Sequence, residues 1–138
     1  MNPHLASWAR LDPAVMRRAL VVGCGYGDDA QWLAARGCAV TAFDISPTAV
    51  AAARARFPAS PVDYQAADLL SLPAAWAAEP FDLVVEAYTL QVLPPGSPER
   101  AAAPPLPRDL RAWRVMPGPA RGLLTRGADC GSRRLDGC

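Results

Sequence analysis

Glycine recurs at alternate positions 23, 25 and 27, inside the stretch ALVVGCGYGDDA that runs from Ala19 to Ala30. Two aspartates stand downstream, Asp44 closing VTAFD and Asp68 within AADLL. Glycine tolerates positive φ and, lacking Cβ, lets another group lie against the backbone, but it loses the most conformational entropy on folding. Backbone amides laid bare in this way suit the polar end of a nucleoside-bearing ligand. An acidic residue ~20 positions beyond such a turn is spaced to accept hydrogen bonds from ribose hydroxyls, and Asp44 lies 21 residues after Gly23. Asp68 adds a carboxylate able to accept from the exocyclic amine of an adenine. Each feature has an ordinary explanation: a tight turn, a helix-entry residue, a loop carboxylate. Found in this order, the three together point to a site for an adenosine-containing cofactor.

Such a site requires that the three features sit at one edge of a sheet, and the flanking text has that form. The apolar run Ala19–Val22 reads as a buried strand that delivers the glycines. Asp28 is placed to cap a helix over Asp29–Arg36, which Gly37 would end. Ala39–Phe43 predicts a second strand ending at Asp44, and Ser46-Pro47 starts a helix that runs to Phe57. Val62–Gln65 is a third, weaker strand, and Phe81–Val85 a fourth with strong β propensity. Strands alternating with helices predict βαβ units, a parallel sheet, and a ligand crevice at the carboxyl ends of the strands.

The glycine spacing discriminates between cofactors. Dinucleotide sites favour G-x-G-x-x-G, whose last glycine permits close helix–strand packing. Here that position is Asp28, and the pattern is G-x-G-x-G. A cofactor without a pyrophosphate does not need the third spaced glycine, so the pattern leans towards S-adenosyl-L-methionine and away from NAD(P).

ALVVGCGYGDDA, followed by VTAFDISPTAV, AADLL and FDLVVEAYTLQVLPP, resembles the class I S-adenosylmethionine-dependent methyltransferases, in particular the thiopurine S-methyltransferase-like and methyltransferase-domain proteins that act on small molecules. The likeness covers Arg18 to Pro95. It implies an α/β fold, a Rossmann-like three-layer αβα arrangement with a mostly parallel sheet, of which about four strands are recognisable here. By the same resemblance Gly23, Cys24, Gly25 and Gly27 line the amino acid end and ribose of the cofactor. Asp44 holds the ribose hydroxyls with Ile45 against the adenine, Asp68 meets the adenine amine with the Leu69 backbone at its ring edge, and Glu86 lies near the methionine portion. Many members carry an acidic residue two positions before the first glycine, where this chain has Val21. Glu86 and Tyr88 are placed to orient an acceptor or to end a strand, and neither is named catalytic.

Composition narrows the alternatives. The chain has 138 residues, 51% of them hydrophobic and 20% charged, with a net charge of +1, a profile of one globular domain rather than a membrane span. MNPHLASWARLDP has no basic stretch leading into an apolar one, so a cytoplasmic location is expected. Cys24, Cys38, Cys130 and Cys138 form no CxxC pair and His4 is the only histidine, so no metal site is expected. Trp8, Trp32, Trp76 and Trp113 read as packing residues. The expected partner is a small-molecule methyl acceptor, and the scattered arginines do not suggest a nucleic acid.

The text changes near residue 94. Residues 1–93 carry six Arg against nine acidic residues, whereas 94–138 carry eight Arg against four and hold eight of the fifteen prolines. Val115 is the only Val, Ile, Phe or Tyr among those last 45 residues. Such text makes poor strands and interrupted helices. Residues 1–95 are therefore expected to form the cofactor-binding portion, and 96–138 an irregular Pro/Arg/Gly-rich tail that leaves the fourth strand as an open edge. All fourteen basic residues are arginine, the usage of a GC-rich gene, and a shift of reading frame between residues 96 and 104 would produce such a tail. An alternative frame of the coding DNA beyond residue 96 is expected to encode a helix and further strands. Finding neither in the two other frames would overturn the frameshift.

Overall fold

The computed structural model describes residues 17–78, 81–87 and 112–116, together with Thr89 and Pro95. In chain order these form β1 (Arg18–Val22), α1 (Asp28–Ala34), β2 (Ala39–Asp44), α2 (Pro47–Arg56), β3 (Asp63–Ala66), α3 (Ala75–Ala78), β4 (Leu83–Ala87) and β5 (Ala112–Met116). His4, Trp8, Tyr88, Cys130 and Cys138 lie outside the described residues.

The strands make one sheet in the order β3-β2-β1-β4-β5, and every pairing is parallel. From β1 the chain steps outward to β2 and β3, then crosses to β4 on the other side. The strand order thus reverses beside β1, the position at which open α/β sheets bind ligands.

Alternating side chains supply two buried faces. Ala19, Val21, Val40, Ala42, Leu83 and Val85 meet Ala30 and Leu33 of α1 and Val50 and Ala53 of α2. The intervening residues Leu20, Val22, Phe43 and Val84 face the other way and pack with Leu69, Phe81 and Trp76. A strand covered on both faces cannot alternate apolar with polar, which is why ALVV and LVV read as unbroken apolar runs. Trp76, on α3, sits with its ring centroid 5.3 Å from that of Phe43 and edge-on to Phe81 at 6.4 Å. It is a packing residue, as its sequence context suggested.

Local chemistry sets the element ends. Ser46 adopts an extended conformation and its Oγ accepts from the Ala49 N–H at 3.2 Å, with Pro47 in the first helical turn, so α2 begins where Ser-Pro predicts. At α1 the cap is Gly27, in the left-handed conformation and with no side-chain hydrogen bond; Asp28 is the first helical residue instead of the cap. There its carboxylate pairs with Arg56 Nη1 at 2.8 Å, tying α1 to the last turn of α2. Asp82 has a role the sequence reading did not assign. Its Oδ2 accepts from the amides of Arg17 and Arg18 at 2.9 and 3.0 Å and so aligns β4 with the start of β1.

β5 corrects two expectations. Ala112–Met116 lies within the stretch read as an irregular tail, yet it pairs with β4 in register from Leu83↔Ala112 to Ala87↔Met116. β4 is therefore an interior strand, and the sheet has five strands rather than four. Propensity misjudged the segment because strand formation there follows from the unpaired backbone groups along β4, which offer a template to any neighbouring extended segment.

Phe81 is 2% exposed and joins Trp76 and Arg18, whose guanidinium lies 5.0 Å from the ring centroid. Phe81→Ala is expected to destabilise the fold by about 3–5 kcal/mol, read as a lowered midpoint of urea denaturation. A change below about 1 kcal/mol would remove Phe81 from the core's principal contacts.

Candidate cofactor site

At the carboxyl end of β1 the chain turns through Gly23, Gly25 and Gly27, with φ values of 63°, 51° and 87°. Side chains rarely adopt this left-handed region, so all three glycines are used for their backbone freedom. The surroundings of the three nevertheless differ. A Cβ on Gly23 would overlap the Thr89 side chain, and one on Gly27 would overlap the Tyr64 hydroxyl and ring. At Gly25 no atom of the described residues lies within 4 Å of the Cβ position. Two glycines admit parts of the protein itself, and the middle one faces open space among the described residues.

The turn is held to neighbouring strands by specific hydrogen bonds. The Cys24 amide donates to the Phe43 carbonyl at 2.9 Å, and the Gly25 amide donates to Asp44 Oδ2 at 3.0 Å. Asp44 Oδ1 accepts from the Ser46 amide at 2.9 Å, and its carbonyl accepts from the Ala67 amide at 3.0 Å. A carboxylate offers about four lone-pair sites. The two backbone amides orient the group and occupy one site on each oxygen, leaving one site per oxygen for a vicinal diol. Asp44 is half-buried, and the next side chain, Ile45, is 71% exposed. An apolar side chain standing in water beside an oriented carboxylate fits an aromatic base next to a ribose.

Asp68 and Leu69 follow β3. Asp68 is exposed, and its Oδ1 accepts from the Leu70 amide at 2.8 Å, closing a local turn that bridges to Ser71. Leu69 is 6% exposed and packs into the Phe43 cluster, so the backbone is the part of it that can face a ligand. The Ala67 amide on the Asp44 carbonyl holds the chain just before Asp68 against the end of β2.

Cys24 and Glu86 behave differently. Cys24 is buried, and its thiol is pushed up to about 11, first by burial and then by the Asp44 charge, with a weak contact to the Gly25 carbonyl at 3.9 Å. It is a neutral core thiol, and only its backbone joins the turn. Glu86 pairs in register with Val22 and is fully buried, and its Oε1 accepts from the Thr89 amide. It holds Thr89, whose side chain lies over Gly23. Two residues beyond the sequence reading lie against the turn: Thr89 at Gly23 and Tyr64 at Gly27. Nothing in their local sequence marks them, because these glycines are far from them along the chain.

Comparison with known proteins matches residues 19–104 to the methyltransferase domain model. Among solved structures, the chain is 31% identical to the N-methyltransferase NodS from Bradyrhizobium japonicum WM9, determined with S-adenosyl-L-homocysteine (TM-score 0.54), over 71% of this chain and 46% of that one. It is 30% identical to CalS10, an amino pentose methyltransferase from Micromonospora echinaspora determined with its S-adenosylmethionine bound (TM-score 0.54), over 65% and 38% respectively. The PH0226 protein from Pyrococcus horikoshii OT3, 20% identical with a TM-score of 0.66 over 82% of this chain and 52% of that one, shares the fold. The chain spans less than half the length of the first two and about half that of the third. No curated protein matches it.

The Cys24 thiol carries a pH test. With its pKa near 9 when unfolded and about 11 when folded, the folded state holds the proton more tightly. Its contribution is complete below pH 9 and is lost as pH rises towards 11, an effect on the order of 2 kcal/mol. Urea midpoints are expected to fall over that interval in the wild type and to fall less in Cys24→Ala; equal slopes would refute the assignment.

Proposed function

Because the chain belongs to the methyltransferase-domain family, we propose that its glycine turn and the two aspartates hold S-adenosyl-L-methionine, and that the protein transfers a methyl group to a small-molecule acceptor. The observation that carries this reading is Asp44: a carboxylate oriented by two backbone amides, with one acceptor site left on each oxygen. Asp44 accepts from both ribose hydroxyls, Ile45 covers one face of the adenine, and Asp68 with the Leu69 backbone meets the ring edge. Gly25 leaves room for the cofactor's approach to the backbone. Gly23, Cys24 and Gly27 set the path of the turn, and Glu86 holds Thr89 beside it.

The cofactor supplies an activated methyl on a sulfonium. The protein's part is largely to hold donor and acceptor in line, since a displacement of this kind gains much of its rate from orientation. The carboxylates also place negative charge where hydroxyl and amine protons must be held. A dinucleotide is disfavoured, because Asp28 stands where the third spaced glycine would be and its carboxylate is paired with Arg56. Among the described residues no helix is long and apolar enough to cross a membrane. A cytoplasmic location belongs to the same proposal and is supported by the buried thiol of Cys24, which is in no disulfide. The length of the solved relatives favours a second reading, a cofactor-binding portion that does not itself complete the transfer.

Calorimetric titration with S-adenosyl-L-homocysteine is expected to show binding, and titration with NAD none; the reverse result would overturn the cofactor assignment. Asp44→Ala is expected to weaken S-adenosyl-L-homocysteine binding at least tenfold, since it removes two charge-assisted hydrogen bonds. Unchanged affinity would exclude the ribose role. Incubation with labelled methyl donor and a panel of thiols, amines and hydroxyl compounds separates the two readings: label in an acceptor supports the enzyme, and binding without transfer the portion.

A further inference from the structure

Tyr64 lies on β3, at the far side of the sheet from the residues that follow β4, yet its side chain reaches the glycine turn. It is 3% exposed, and its hydroxyl donates to the Gly27 carbonyl at 3.3 Å. The same oxygen accepts from the Gln31 amide at 2.9 Å, the first hydrogen bond of α1. Gln31 Nε2 in turn donates to the Tyr64 hydroxyl at 3.0 Å, which closes a ring of three hydrogen bonds around the Gly27 carbonyl. The ring is anchored on both sides. Gln31 Nε2 also donates to Ser60 Oγ, which accepts from the Val62 amide at 3.1 Å, while the Tyr64 carbonyl accepts from Arg54 of α2.

A phenylalanine would fill the same apolar volume, so packing alone does not account for a hydroxyl buried here. Burying one is unfavourable unless it is hydrogen-bonded, and both of its partners belong to the turn and the helix that the turn begins. Gly27 reinforces the arrangement: a side chain at this residue would occupy the position of the Tyr64 ring. On the opposite side the turn is held by the Gly25 amide on Asp44. The two restraints come from adjacent strands and bracket the backbone between residues 25 and 27.

We propose that the Tyr64 hydroxyl is a positioning residue of the cofactor site, fixing the Gly27 carbonyl so that the Gly25 amide and the Asp44 carboxylate keep their binding geometry. The inference rests on the cofactor reading above for its effect on affinity, and on the hydrogen-bond ring alone for its effect on the turn. Tyr64→Phe keeps the ring packing, and the Gln31 amide and Ser60 still satisfy the Gly27 carbonyl and Gln31 side chain. The fold is therefore retained while the lateral restraint is lost.

The test uses the full chain and two measurements. In Tyr64→Phe, the amides of Gly25, Gly27 and Gln31 are expected to exchange with solvent about fivefold faster by NMR, with those of Val21 and Val84 unchanged. Calorimetry is expected to show S-adenosyl-L-homocysteine bound about fivefold more weakly, at an unchanged thermal midpoint. Val50→Ala, a core substitution on α2, is expected to lower the midpoint and leave that affinity as it was, which a purely structural role for Tyr64 would not predict. Should Tyr64→Phe fail to fold, Gln31→Met removes the hydrogen bond that orients the Tyr64 hydroxyl towards the Gly27 carbonyl and is expected to give the same two changes to a smaller degree. Wild-type exchange rates in a folded variant would overturn the inference, as would wild-type affinity. A wild-type protein that binds no S-adenosyl-L-homocysteine would overturn the cofactor reading instead, and the exchange rates would still decide the restraint on the turn.

Discussion

The amide of Gly25 donating to the carboxylate of Asp44 joins the first βα turn to the end of the second strand, and the path of the turn and the orientation of the carboxylate both depend on it. A turn through three residues of positive φ is costly to order, because glycine gives up more freedom than any other residue. Left to itself it would sample many paths. Anchoring its middle amide on a carboxylate that is itself held by the Ser46 amide selects one of them. The same bond points the remaining acceptor sites of Asp44 outward, beside the exposed Ile45. The restraint on the backbone and the binding capacity of the side chain are two consequences of one contact.

That contact depends on the sheet beneath it. Parallel pairing brings the ends of β1, β2, β3 and β4 to one edge, in registers that set Val22 opposite Phe43 and Glu86 and Asp44 opposite Ala66. The registers persist because a one-residue slip would move every buried side chain to the wrong face. Leu20, Val22, Phe43 and Val84 would leave the Trp76 side, and Ala19, Val21, Val40 and Leu83 the helix side. Burial of roughly 1.5–3 kcal/mol for each large side chain thus maintains a geometry that no single hydrogen bond at the site could impose.

The fold and the chemistry have different reach. The fold is shared with solved methyltransferases, of whose chains the matched part makes up 46% and 38%. A fold of this kind hosts several activities, and the activity is settled by the residues around the cofactor edge. In this chain the described part of that edge carries backbone amides and carboxylates that orient one another. Thr89, ordered by Glu86 and lying over Gly23, is where the segment after β4 comes into contact with the turn.

Much of this was legible along the chain because its causes are local. Apolar runs, Ser-Pro at a helix start, glycines at a strand end and an acidic residue at the expected spacing all act through a residue and its near neighbours, so the order of elements and the positions of Asp44 and Asp68 follow from the sequence alone. Four points required the tertiary structure. Asp28 begins α1 instead of capping it, because its carboxylate has a partner in Arg56. Cys24 turns inward as a neutral thiol, since the helix-side core closes over it. β5 forms in text poor in strand formers, because β4 presents an edge to pair with. Finally, two of the three turn glycines make room for Thr89 and Tyr64, and among the described residues Gly25 has no such neighbour. In each case the deciding partner is distant in sequence, and its contribution exists only once the sheet has brought it near.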